Sequence, residues 1–242
     1  MKQNWKTATC SLVVITLTTL LIINGQKQAK NEDQPDVTQF PTVEYQTRKH
    51  VNLSEERKKK SKKYNSRHTP VITESLDQIS MTSDWELRLP ALPVAKSAAV
   101  IIGEVTDAQA HLSEDETRVY SEFIVRVDEV LKSDGQVQLD SSVAVERFGG
   151  RVRFPSGKVM VAATDHQDLP HVGKRYVLFL IHEFVGDEDY TILTGYELRD
   201  GRVFPLDKPG RGHPILAYKG VSEASLLNDL GVALANSLSQ SK

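Results

Sequence analysis

Short stretches in which apolar and polar residues alternate recur through the second half of the chain. The clearest is VYSEFIVRVDEVL at 119–131, where alternate residues point to opposite faces of a strand. The apolar face carries Val119, Phe123, Val125, Val127 and Leu131. The polar face carries Glu122, Arg126 and Asp128. This alternation predicts a strand with one buried face.

Similar patterns predict further strands, separated by polar, Gly-rich or Pro-rich turns. They cover residues 97–109, 141–150, 151–154, 159–163, 175–184, 190–198 and 202–206. Gly103, inside the first of them, predicts a bulge or tight bend. The stretch 175–184 is apolar on both faces, which is typical of a central, doubly covered strand. Seven or eight strands with no helix between them favour a mainly β domain, an antiparallel barrel or sandwich.

A different periodicity closes the chain at residues 221–239. Leucines recur there at helical spacing, at positions Leu226, Leu227, Leu230, Leu234 and Leu238. Ser222 precedes them as a predicted N-cap. The narrow apolar stripe predicts an amphipathic helix packed on the β domain, with a partner-binding helix as the alternative.

The N-terminus has the pattern of an export segment. Lys2 and Lys6 precede an apolar run over residues 8–23, so residues 1–25 are predicted to be a signal peptide or a membrane anchor. No clear cleavage site follows, and both interpretations stay open. In either case the charge bias predicts that the rest of the chain is exported to the periplasm or the extracellular space, tethered to the membrane through residues 8–23 if uncleaved. The only cysteine, Cys10, lies in this segment, so disulfides, thiolate zinc sites and cysteine nucleophiles are excluded from the exported part.

Charge divides the remaining chain into segments. Residues 26–68 are polar without apolar periodicity and are predicted to form a disordered tether, whose part 48–67 carries nine basic and two acidic side chains. A solvated linker is the favoured interpretation, and attraction to an anionic surface is the alternative. Residues 69–94 form a lead-in segment, with a short helix predicted at 73–80 and with Trp85, Leu87 and Leu89 along the domain edge. Residues 95–220 are the predicted β domain, whose net negative charge and export argue against a nucleic-acid partner.

The order of phrases over residues 95–206 adds a resemblance. The motifs V-x-V-x-x-V-L-K at 125–132 and V-G-x-R-Y-V-L-F-L at 172–180 carry most of it. The domain resembles that of uncharacterised exported bacterial proteins similar to the OB-type barrel of netrin-like modules and tissue inhibitors of metalloproteinases. The resemblance implies an OB-like barrel. It does not carry over inhibition, because the inhibitors chelate the protease zinc through an N-terminal cysteine and the exported part has none.

Two groups of residues are candidate sites. Glu146, Arg147, Arg151, Arg153 and Lys158 could form a small basic patch on the barrel for an anionic glycan or peptide. A solvent-exposed face with cross-strand ion pairs is the alternative for this group.

A second group lies in TDHQDLPH at residues 164–171. Asp165, His166, Asp168 and His171 could hold a divalent metal, but the Pro and Gly residues nearby favour an ordinary turn.

The sequence favours a non-enzymatic exported or membrane-tethered protein without a cofactor. It would bind an envelope protein or an anionic glycan. The alternatives are a metal-dependent envelope hydrolase that uses the His/Asp cluster at 164–182, and an inhibitor of an exported protease.

Overall fold

The computed structural model describes residues 35–46, 54–81, 89–135, 141–183 and 189–240. They form a mainly β protein with a C-terminal helix, as predicted, and the strands lie in two sheets. The strands are β1 (Thr42–Glu44), β2 (Gln78–Met81), β3 (Ala99–Leu112), β4 (Val119–Lys132), β5 (Ser142–Phe148), β6 (Gly150–Arg153), β7 (Val159–Thr164), β8 (Arg175–Ile181), β9 (Tyr190–Arg199) and β10 (Arg202–Pro205). The α-helices are α1 (Glu55–Lys63) and α2 (Glu223–Gln240), and 3₁₀ helices span Val37–Gln39, Val94–Lys96 and Pro214–Tyr218.

The predicted export or anchor segment, residues 1–25, lies outside the described residues. So do residues 26–34 and 47–53 of the predicted tether, and residues 82–88 with Trp85 and Leu87. Within the described ranges, no helix is both long and apolar enough to cross a membrane.

The larger sheet has the strand order β10-β9-β5-β4-β3-β8, and β8 also pairs with β9. These pairings link β3, β4, β5, β9 and β8 in a ring. All contacts around the ring are antiparallel except the one between β5 and β9, which is parallel and contains two residue pairs. One apolar cluster combines side chains from every strand of the ring, including Ile101, Val125, Val145, Leu178 and Ile192.

A second apolar cluster lies between the other face of β3, β8 and β9 and the C-terminal elements. Leu226 and Leu230 of α2 are buried in it, with Leu227 and Leu234 packed at its margin. The Ser222 hydroxyl accepts a hydrogen bond from the Ser225 amide at 3.2 Å, as an N-cap does. The predicted C-terminal helix is therefore confirmed, and the first four leucines of its stripe pack on the chain's own sheet, while the side chain of Leu238 lies outside the described part.

Gly103 marks an irregularity in β3, as predicted. The register of β3 against β4 shifts between Ile102 and Gly103, and a Cβ at Gly103 would clash with the backbone of Arg126. This shift leaves Asp128 of β4 out of the register and reverses the alternation of β4 beyond Val127, so that Val130 packs in the cluster of the ring. Leu131 consequently packs with the α2 cluster, not with Phe123, Val125 and Val127 as the strict alternation predicted.

The smaller sheet has the order β1-β6-β7-β2, with β6 and β7 forming the predicted hairpin. β2 corrects the prediction of a short helix over residues 73–80, because residues 78–81 pair in parallel with β7. Polar helix-forming residues favour a helix locally, but Ile79 packs on the cluster of this sheet and the ladder prevails.

The predicted disorder of residues 26–68 is wrong for the described parts, 35–46 and 54–68. Phe40 is buried in the cluster of the ring, Tyr64 is fully buried, and β1 pairs with β6. Single aromatic residues in a polar stretch show no periodicity, yet each contributes about 1.5–3 kcal/mol when it is buried. Isolated anchors of this kind hold the segment on the β domain.

Candidate functional site

Helix α1 forms where the sequence contains its most basic stretch. The Ser54 hydroxyl accepts a hydrogen bond from the Arg57 amide at 3.2 Å and caps the helix. Glu55 and Glu56 lie in the first turn and three lysines in the last, so the side-chain charges oppose the helix dipole at both ends. Arg57, Lys60 and Lys63, spaced three residues apart, share one side of the helix, which we name the basic side.

The strands of the larger sheet offer that helix a group of carboxylates. Glu122 on β4 is the direct cross-strand neighbour of Glu146 on β5, and Asp189 lies immediately before β9. We name these three residues the acidic face. Glu146 is fully buried, whereas Glu122 and Asp189 keep a minor part of their side-chain surface exposed.

Ion pairs join the basic side to the acidic face. Lys60 Nζ lies 2.9 Å from Asp189 and 3.2 Å from Glu122, and it is 3.7 Å from Glu146 Oε1. Lys63 Nζ lies 2.6 Å from Glu146 Oε2 and 3.0 Å from Asp189. Arg57 pairs with Glu122 at 3.4 Å. Each lysine therefore bridges carboxylates that come from separate segments of the domain, and α1 is held by several of these segments at once.

Tyr64 follows the helix and anchors it. Its ring stacks on Tyr120 with centroids 4.1 Å apart and meets the edge of Phe148 at 4.9 Å. Its hydroxyl donates a hydrogen bond to Glu146 at 2.6 Å, and burial together with the Glu146 charge raises the pKa of this phenol well above its ordinary value. Tyr64 thus combines an apolar contact with a charge-assisted hydrogen bond at one point.

The charges of the helix determine how the acidic face titrates. Burial raises the pKa of Glu122 and of Asp189, but the Lys60 charge and its neighbours outweigh it, so both pKa values lie below the ordinary value. Burial prevails at Glu146, and its pKa is raised even though Lys63 and Tyr64 oppose the effect. Without α1 the lowering contributions of Arg57, Lys60 and Lys63 disappear, and the three carboxylates would repel one another.

The chain after α1 is held by the loop between β3 and β4. Asp115 accepts a hydrogen bond from the Ser66 amide at 2.9 Å, and its own amide donates to the Asn65 side chain at 3.0 Å. The Glu114 amide donates to the Ser61 carbonyl at 3.2 Å. The segment from Ser54 to Ser66 therefore crosses the β4–β5 face and ends on this loop.

His111 on β3 lies at the edge of the same interface. Its ring is 5.2 Å from that of Tyr120, and its Nε2 atom is buried without a hydrogen-bond partner. Burial and the nearby positive charges of Arg57 and Lys60 lower the pKa of His111 from 6.5 to about 4, although Glu122 opposes the shift. The imidazole is therefore neutral at pH 7 while α1 is in place.

The predicted basic patch is not a single site, which corrects the prediction. Glu146 belongs to the acidic face, and Arg147 is 1% exposed and forms a bidentate pair with buried Asp207 at 2.8 and 3.0 Å. The others lie apart on the small sheet. Arg151 donates to the Thr38 carbonyl, Arg153 pairs with Glu44 and Lys158 pairs with Asp77. Glu146 and Arg147 are separated because side chains alternate along β5. Val145 and Arg147 face inward, and Glu146 faces α1.

The predicted metal group is not assembled either. Asp168 is buried and pairs with Lys208 at 3.0 Å, while His166 Nδ1 lies 3.1 Å from the Lys208 carbonyl. Asp165 and His166 are exposed, and the His171 backbone donates to the Tyr176 hydroxyl. Throughout the described ranges, no three His, Cys, Asp or Glu side chains form a group suited to a metal ion.

His182, the last histidine of the 164–182 stretch, lies just after β8 and contacts a different neighbour. Its Nε2 lies 2.8 Å from Asp134, whose other carboxylate oxygen accepts from Tyr190. The histidines that suggested an envelope hydrolase therefore have separate partners.

No protein-family model matches the chain, and no curated protein matches it. Carboxylates of the acidic face, the Tyr120 and Phe148 rings and the β3–β4 loop together form the surface on which the chain's own basic segment lies.

Sequence reasoning missed this site because it assigned the basic stretch to a linker. The available signals were the cap sequence Ser-Glu-Glu, the lysines of the last turn and the single tyrosine that follows. The matching carboxylates are dozens of residues away, at positions that become neighbours only when the sheet has formed.

Proposed function

We propose that the protein is a non-enzymatic binding protein, exported or membrane-tethered, that uses its β domain to bind a partner protein at the cell envelope. The N-terminal pattern of Lys2, Lys6 and the apolar run over 8–23 supports export. The acidic face supports binding, because it already holds a peptide segment through side chains from several elements. This second observation carries the proposal.

We also propose that the five-stranded ring is an OB-like barrel. The ring contains the strands in the order β3-β4-β5-β9-β8, which fits a five-stranded Greek-key barrel whose weakest contact is the short parallel pairing between β5 and β9. The resemblance of residues 95–206 to OB-type domains agrees with this order. Barrels of this class bind ligands across one strand face and its neighbouring loops, the region that the acidic face occupies here.

A protein partner fits better than an anionic glycan. The glycan prediction depended on a basic patch, and the structure separates the members of that patch. The carboxylates at 122, 146 and 189 favour a cationic ligand and repel an anionic one.

Site-directed photo-crosslinking in living cells tests the binding function. The photoreactive residue replaces Gln109, which is exposed on β3 and is the cross-strand neighbour of Glu122. The matched control position is Asn228, exposed on α2. We expect discrete adducts from position 109 and none of the same size from position 228. Identical patterns from both positions, or no adduct at all, contradict the proposal.

A reporter that is active only outside the cytoplasm, fused after residue 242, tests export. We expect activity that is lost when residues 1–25 are deleted. Equal activity with and without that segment contradicts export through it.

A further inference from the structure

The acidic face is unfavourable unless a cation covers it. Glu122 and Glu146 are direct neighbours on antiparallel strands, and like charges in that position destabilise a sheet. Glu146 is fully buried, and its Oε1 atom accepts no hydrogen bond although Lys60 lies within ion-pair distance. A buried carboxylate that is incompletely paired costs free energy, so this surface is suited to a positively charged ligand.

Helix α1 supplies such charges on one side only. Arg57, Lys60 and Lys63 contact the acidic face, whereas Lys59 and Lys62 on the other side are exposed. Two further contacts hold the helix, namely the hydrogen bond of the Tyr64 hydroxyl to Glu146 and that of the Glu114 amide, in the β3–β4 loop, to the Ser61 carbonyl. The acidic face therefore favours a segment that carries cations at three-residue spacing, followed by an aromatic ring.

The fit of α1 is incomplete. The helix has nine residues, and helices shorter than about 12–15 residues are marginal in water, so its order depends on docking. Arg57 Nη1, His111 Nε2 and Glu146 Oε1 are buried at this interface without hydrogen-bond partners. Every unsatisfied polar atom weakens the docked state relative to one in which it is paired.

We infer that the acidic face is the docking site for a basic helical segment of a partner protein, and that α1 is the intramolecular occupant which such a segment displaces. The inference rests on the proposed binding function and names its partner chemistry. The partner segment carries Lys or Arg at three-residue spacing and an aromatic residue after its last turn. Because α1 belongs to the same chain, its effective concentration is on the order of millimolar, and it suppresses binding of weak ligands.

A synthetic peptide of residues 54–67, labelled with a fluorophore, is the probe. The purified full chain with K60S/K63S loses the two lysines that hold α1, and K59S/K62S removes two exposed lysines as the matched control. We expect K60S/K63S to bind the peptide with a dissociation constant at least about tenfold lower than that of K59S/K62S. In K59S/K62S, α1 still covers the acidic face, and the apparent affinity falls in proportion to the fraction of molecules whose face is open. Binding should weaken as salt is added.

Circular dichroism first establishes that K60S/K63S is folded. A folded variant that does not bind the peptide overturns the inference. A peptide in which serine replaces Lys60 and Lys63 should bind at least about tenfold more weakly than one in which serine replaces Lys59 and Lys62, since only the former pair contacts carboxylates. Equal affinities also overturn it.

If K60S/K63S does not fold, amide hydrogen exchange of the wild-type chain tests whether the peptide displaces α1. Excess peptide should speed amide exchange in residues 58–64 and leave the amides of β4 unchanged. Unchanged exchange in 58–64 overturns the inference. If position 109 gives crosslinked adducts but the peptide does not bind, the basic-helix partner is rejected and the binding function is kept. If position 109 gives no adducts, the binding function itself is rejected.

Discussion

Neighbouring residues of β5 have opposite roles. Glu146 faces the docked helix, and Arg147 faces the interior, where it also donates to the Asp168 carbonyl at 2.7 Å. Asp207 accepts a further hydrogen bond from Thr194 at 2.7 Å. Arg147 and Asp207 therefore join β5 to the segment after β10 inside the domain, and their contribution is to stability.

Removing Arg147 should be costly. R147M leaves the Asp207 carboxylate buried without its cation, and we expect a loss of about 3–5 kcal/mol in the free energy of unfolding. Urea denaturation measures it. The matched control, R153M, breaks an exposed pair with Glu44 and should change the free energy of unfolding by less than about 1 kcal/mol. Equal effects of the two substitutions would show that the buried pair is not formed.

The elements differ in how far local sequence determines them. Strands β3, β4, β5 and β9 follow from alternation, and β8 follows from a run that is apolar on both faces, since each has at least one face that packs in an apolar cluster. Helix α1 has no apolar stripe, because its contacts are ion pairs to distant strands, and β2 is strand only because β7 offers it a ladder. Elements stabilised by apolar faces could be predicted, and elements stabilised by a specific partner could not.

The pKa of His111 should report whether α1 is docked. It lies near 4 because of burial and of the charges of Arg57 and Lys60. We expect an NMR titration to give a pKa near 4 in the wild-type chain and in K59S/K62S. In K60S/K63S the pKa should rise towards the ordinary value of about 6.5, as water and the loss of Lys60 favour the imidazolium. An unchanged value in K60S/K63S would contradict docking through these lysines.

The lowered pKa of His111 makes the free energy of unfolding depend on pH. A histidine whose folded-state pKa is depressed stabilises the fold above the unfolded pKa and loses that contribution as pH falls through the folded value. Between pH 6.5 and 4 the unfolded state binds more protons, so this group adds a slope of up to about 1.4 kcal/mol per pH unit. H111Q should remove that slope, measured by urea denaturation at a series of pH values.

Across the whole molecule, the charge asymmetry of the sequence is partly resolved within the chain. Residues 48–67 carry nine basic and two acidic side chains, and residues 68–242 carry 17 basic and 26 acidic ones. Composition alone suggests a cationic tether beside an acidic domain. The structure instead places part of the basic segment on the acidic face. The asymmetry could be read from the sequence, but the pairing could not, because it depends on which carboxylates β4 and β5 bring together.

The most direct test of this account is a double-mutant cycle between Lys63 and Glu146, measured by urea denaturation with K63S, E146Q and the double variant. If the basic segment docks on the acidic face, the two changes should be coupled by at least about 1 kcal/mol, as for residues in direct contact. The control cycle pairs K62S with E146Q and should be additive within about 0.5 kcal/mol, because Lys62 is exposed. Additive behaviour of Lys63 and Glu146 as well would contradict the docked helix and the recognition site inferred from it.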